Sequence, residues 1–74
     1  MVTCAAPLAP KLFDVAPSAA GWEIRDPNGK AIRSSLAIDA ALELAWVAAI
    51  DNRPATARLL TADGEVEMEW DYRA

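Results

Sequence analysis

Four carboxylates stand at every second position late in the chain, Glu65, Glu67, Glu69 and Asp71, interleaved with Val66, Met68, Trp70 and Tyr72. Side chains of this kind could bind a divalent cation, act as an acid–base pair, or present a charged docking surface. Spacing argues against the cation. Outward residues on one strand sit about 6.5 Å apart and run parallel, whereas calcium ligands converge to about 2.3–2.6 Å from one ion. A glycosidase-like pair needs two carboxylates across a cleft with separated pKa values, and nothing in the pattern builds a cleft. Two readings remain: a solvated strand face with Arg25, Arg33 and Arg58 interleaved, or a surface that meets a basic partner through complementary charge. Acidic edges also discourage strand-to-strand aggregation.

The other reactive groups are few. The chain has no histidine and a single cysteine, Cys4. That excludes an internal disulfide and a zinc site of the usual Cys/His kind, and it leaves Ser18, Ser34 and Ser35 without a base to activate them. Cys4 has no adjacent basic residue to lower its pKa and reads as an incidental thiol. No catalytic residue, cofactor or metal is expected. A net charge of −4 argues against direct nucleic-acid binding, which relies on excess Lys and Arg. At 74 residues the chain is one small domain that buries roughly 60% of its unfolded surface. Such scaffolds draw on disulfides, metals or association, so association is the expected stabiliser. No segment approaches the ~20 apolar residues of a membrane span. The opening MVTCAAPLAP lacks a basic region and is broken by Pro7 and Pro10, unlike a signal peptide. The expectation is a cytoplasmic protein that does not enter membranes.

The elements that must position these residues follow from turn chemistry and periodicity. Residues 1–20, with Pro7, Pro10 and Pro17 among many alanines, read as an extended arm rather than a central strand, because proline removes a ladder donor. Within the arm, KLFDV could form a short edge strand or lay Leu12, Phe13 and Val15 across a neighbouring surface. Residues 21–74 read as the domain proper. GWEIRDPNGKAIRSSL is a β-hairpin with a three-residue Pro27-Asn28-Gly29 loop. That loop pairs Ile24 with Ile32, Glu23 with Arg33 and Asp26 with Lys30. LAIDAALELAWVAAIDN is a helix, started by Ser34 or Ser35 and closed before Pro54. Its broad apolar face holds Ile38, Ala41, Leu42, Ala45, Ala48 and Ala49. ATARLLTADGEVEMEWDY is a second hairpin turning at Asp63-Gly64 in a two-residue loop. That loop pairs Thr61 with Val66, Leu60 with Glu67, Leu59 with Met68, Arg58 with Glu69 and Ala57 with Trp70.

The expected architecture is therefore α+β: a four-stranded antiparallel sheet in the order β-β-α-β-β, one helix on one face, and an N-terminal arm. Trp22, Ile24, Ile32, Met68 and Trp70 would fill the space between helix and sheet. Trp22, Ile24, Gly29, Ala41, Ala45, Asp63, Gly64 and Tyr72 also stand at places that match the small bacterial YegP-like domains of unknown function. The chain resembles these over residues 21–72. The resemblance implies the same fold and brings no catalytic residues, and Ala37 departs from it where those proteins carry a capping hydroxyl.

The helix is apolar nearly all round, which signals burial on more than one side. Leu44, Trp46, Val47 and Ile50 exceed what a one-layer sheet can cover, and such a patch marks an interface. Either the arm covers it through Leu8, Leu12 and Phe13, or a partner does. The expected function is a non-enzymatic interaction module, a homodimer or a binder of another protein, through Leu44, Trp46, Val47, Ile50, Leu12 and Phe13. The alternative is a small acidic inhibitor, of the kind phages encode, whose Glu65, Glu67, Glu69 and Asp71 occupy a nucleic-acid-binding surface on a target.

Overall fold

The computed structural model describes residues 10–73. Five strands and one helix follow in the order β1 (Lys11–Ser18), β2 (Gly21–Arg25), β3 (Ala31–Ser35), α1 (Ile38–Asp51), β4 (Ala55–Leu60) and β5 (Val66–Tyr72). They form one mixed sheet, ordered β3-β2-β1-β4-β5, with the helix over one face. The α+β class with a single helix is as expected. The four-stranded antiparallel sheet is not, because the segment assigned to the arm supplies the central strand.

β1 runs antiparallel to β2 and parallel to β4, joining two hairpins that would otherwise each expose an edge. The objection from proline fails for a local reason. Pairing with β4 extends from Lys11 to Val15, so Pro17 lies beyond that ladder and its missing donor interrupts only the outer end. Alternation along β1 sends Phe13 and Val15 beneath the helix, 4% and 0% exposed. β1 thus takes Lys11–Ser18 out of the segment expected as an arm; Cys4 and Leu8 lie outside the described residues.

The helix meets the sheet along Ala41, Ala45 and Ala49, all buried. Residues four apart share one helix face, and three methyl groups in a row let the helix backbone approach closely. Opposite them lie Phe13, Val15, Ile24, Ala55, Ala57 and Leu59, with Trp22, Ile38, Leu42 and Leu44 packed at the flanks. Ile24 and Val15 are the largest fully buried side chains. Ile32 and Met68, expected as core fillers, are 41% and 49% exposed at the sheet margins. The expected serine cap is also absent: Ala37 is the N-cap residue, without a side-chain bond. The Ser35 hydroxyl accepts from the Ala37 N–H at 3.3 Å. At the other end the Asn52 side chain donates to the Ala48 carbonyl at 2.7 Å.

Both hairpins have the same construction. The Asp26 N–H donates to the Lys30 carbonyl and the Thr61 N–H to the Glu65 carbonyl, each at 2.8 Å. Each thus encloses a three-residue loop ending in a glycine at positive φ, Gly29 at 83° and Gly64 at 85°. One strand residue later each hairpin carries a bulge. Arg25 faces Ala31 but Ile24 faces Arg33, and Leu60 faces Val66 but Leu59 faces Met68. The extra residues are Ile32 and Glu67. The first loop is as expected, yet its bulge replaces the Ile24–Ile32 and Glu23–Arg33 pairs with Ile24–Arg33 and Glu23–Ser34. In the second hairpin the longer loop and the bulge compensate. Leu59–Met68, Arg58–Glu69 and Ala57–Trp70 form as expected, while Thr61–Val66 and Leu60–Glu67 do not. A bulge of this kind follows from sheet twist near a tight turn, a property of the paired strands rather than of either sequence.

Candidate functional site

The helix packs over β1 to β4 and leaves β5 at its margin. Register places Met68, Trp70 and Tyr72 on the helix side of β5, opposite Leu59, Ala57 and Ala55. Because Ala57 and Ala45 contribute only methyl groups, a cavity of about 250 Å³ remains between helix and strand. Its walls are the rings of Trp46, Trp70 and Tyr72, with the Glu43 carboxylate beside them. A side chain the size of leucine at position 45 or 57 would occupy this space. The groove is smaller than the roughly 300–1,000 Å³ typical of drug-sized ligands, and its lining is mostly apolar.

The residues expected at an interface divide between this margin and the interior. Trp46 and Val47 are exposed at 48% and 47%. Leu44 packs against the core cluster, and Ile50 is half-buried. Leu12, 38% exposed, pairs with Thr56, and its neighbour Phe13 is buried beneath the helix. Alternation puts these two residues on opposite faces of the sheet, so β1 lies under the helix and does not wrap the Trp46 surface. Phe13 is a core residue, not an interface residue. The sequence reading missed Glu43, Trp70 and Tyr72 as companions of Trp46. Trp70, expected between helix and sheet, is half-buried and packs against the core cluster while its ring also walls the groove.

The acidic row is likewise not one row. Glu65 closes the loop, where its N–H donates to the Thr61 hydroxyl at 3.1 Å. Glu67 is the bulged residue, and Val66 is shifted opposite Leu60. Glu69 and Asp71 lie on the sheet face away from the helix, paired with Arg58 and Thr56. The Thr56 hydroxyl, in a residue only 3% exposed, donates to Asp71 Oδ1 at 2.9 Å. Arg58 is held by a different acid: its Nε and Nη2 donate to the two oxygens of Asp14 at 2.7 and 2.9 Å. That bidentate bond, more than the charges of Asp14 and Glu69, holds the guanidinium pKa above its ordinary value against the opposing effect of burial. Glu23 and Arg25 form a second ion pair at 2.6 Å on the same face. Among the described residues no three acidic or thiol groups converge on a possible metal position, and no helix is long and apolar enough to cross a membrane.

Comparison with models of protein families, with curated proteins and with solved structures finds no match to this chain. Function is therefore argued from the surfaces themselves.

Proposed function

We propose that this chain is a non-enzymatic protein–protein interaction module that forms a homodimer through the outer face of its helix. The observation that carries this reading is the pair Trp46 and Val47, about half exposed on a helix whose opposite face is already buried against the sheet. Half-exposed tryptophan beside an apolar groove is the arrangement of an anchor residue, and such anchors supply a large share of interface energy. A second copy brings the same patch, and an isologous contact sets the Trp46 and Val47 surfaces of two copies together; Glu43 stands beside Trp46 on this face. The acidic-inhibitor reading has less support. The bulge at Glu67 breaks the even spacing of the carboxylates, and Asp71 is already bonded to Thr56.

Size-exclusion chromatography with light scattering tests the reading. A dimer at tens of micromolar that Trp46→Glu converts to a folded monomer is the expected result. A wild-type monomer throughout that range overturns it.

A further inference from the structure

The hydrogen-bonding edge of β5 is a second surface, with different chemistry from the helix face. We propose that it accepts, by strand addition, an extended segment of a partner protein in which basic and apolar side chains alternate.

Among the described residues β5 pairs on one side only, with β4. Beyond the bulge, Met68 to Tyr72 keep uninterrupted register with Leu59 to Ala55, so the free edge presents its donors and acceptors at regular ladder spacing. Edge strands are commonly blunted by proline, a bulge or shortness. The opposite edge, β3, has only five residues, with a bulge inside it. The Met68–Tyr72 run has neither proline nor bulge; its carboxylates oppose pairing with a like-charged strand and leave a regular ladder to a basic one.

The side chains select which strand. On the helix side the edge offers Met68, Trp70 and Tyr72; on the other it offers Glu69 and Asp71, with Glu67 next to them. Arg58, directly across from Glu69, commits Nε and Nη2 to Asp14, so Glu69 feels its charge while its carboxylate stays open to an incoming cation. Directly opposed like charges destabilise a pair and opposed unlike charges or apolar groups stabilise it. The complementary segment therefore places Lys or Arg against the carboxylates and apolar side chains against the rings.

A second copy does not fit this edge when both helices stay on one face of the merged sheet. Two β5 strands paired about Glu69 set Glu69 against Glu69 and Glu67 against Asp71. A β3 strand paired with β5 puts Arg33, which shares a face with Ile24, on the apolar side. The acidic row thus bars self-pairing and admits a basic segment, the strand-addition mode in which backbone bonds give affinity and alternate side chains give specificity.

The test is a titration of ¹⁵N-labelled protein with a short capped peptide alternating lysine and valine, followed by amide exchange. Saturable binding is expected, with shifts confined to β5 and its neighbours and exchange slowed by about tenfold or more at alternate amides of residues 68–72, as backbone pairing requires. A Glu–Val peptide should not bind, and a Lys–Val peptide of equal charge with every backbone amide N-methylated should fail because it lacks backbone donors. Glu67→Lys with Glu69→Lys should weaken binding by about tenfold or more, whereas Val47→Ser, in the proposed dimer patch but outside the groove walled by Trp46, Trp70 and Tyr72, should leave it unchanged, which separates this surface from the dimer contact. If the double reversal alters the fold, Glu67→Gln with Glu69→Gln carries the same test with a smaller loss. Equal binding of the N-methylated peptide, shifts away from β5, or unchanged affinity in both charge variants overturns the proposal.

Discussion

Replacing Gly21 with alanine probes the junction on which the helix, and hence Trp46, depends. Gly21 opens β2 at φ 117°, a conformation that costs a side-chain-bearing residue about 1–3 kcal/mol. A Cβ there would stand 2.6 Å from the Ser35 carbonyl oxygen and 2.9 Å from Leu36 Cα. Both are backbone atoms, in the segment that leads from β3 into the helix, so relief requires moving that segment rather than rotating a side chain. Forced overpacking of this kind costs about 1–3 kcal/mol. The two effects together come to roughly 2–6 kcal/mol. A chain of this length has a total stability of roughly 4–11 kcal/mol, and the loss corresponds to a fall in Tm of about 8 °C or more. Gly64→Ala is the control. It has the same sign of φ, 85°, with nothing within 4 Å of the new Cβ, and should lose about 1–2 kcal/mol. Urea denaturation followed by tryptophan fluorescence measures both. If Gly21→Ala costs no more than Gly64→Ala, the close approach of β2 to Ser35 is not a constraint on the fold and the reasoning fails.

Ile24→Ala should cost about 2–5 kcal/mol, whereas Ile32→Ala should cost less than about 1 kcal/mol, since the two residues are 0% and 41% exposed. Equal losses would restore the Ile24–Ile32 pair that the bulge replaces. Asp14→Asn should destabilise by about 1–2 kcal/mol, because a charge-assisted bidentate bond across β1 and β4 is weakened. Arg58 has a folded-state pKa raised above its ordinary value, so its contribution is fully present below that ordinary value and fades only as pH rises through the folded one. The wild-type advantage over Asp14→Asn should therefore not decline from pH 7 to 9, and a decline detected by denaturation at the two pH values would contradict this account. Thr56→Val leaves Asp71 without its donor and should lose about 1 kcal/mol, read from the same unfolding curves.

The legible parts of this protein were those governed by near neighbours in the chain. The Pro27-Asn28-Gly29 loop, the helix with its alanine face and the existence of both hairpins follow from turn chemistry and period. The Leu59–Met68 and Ala57–Trp70 pairs were reached by a loop one residue too short, an error that Glu67 cancels by bulging. The same device worked against the first hairpin, where a correct loop led to a wrong partner for Ile24. Trp46 and Val47 were recognisable as surplus apolar surface because a helix can bury only part of its circumference. Trp70, Tyr72 and Glu43 were not recognisable as their companions, because the groove exists only where the helix stops short of β5.

Sequence alone thus determined the helix, the existence of both hairpins and the alternation of β5, all consequences of residue type and short-range geometry. Tertiary structure decided that Lys11–Ser18 is the centre of the sheet, that Phe13 is core, and that Glu69 and Asp71 lie on a strand that pairs on one side only among the described residues. Those outcomes rest on the parallel pairing of β1 with β4, which brings Asp14 to Arg58 across 44 positions of chain. Such a contact depends on which strands are left to pair once local elements have formed, and no local pattern encodes it.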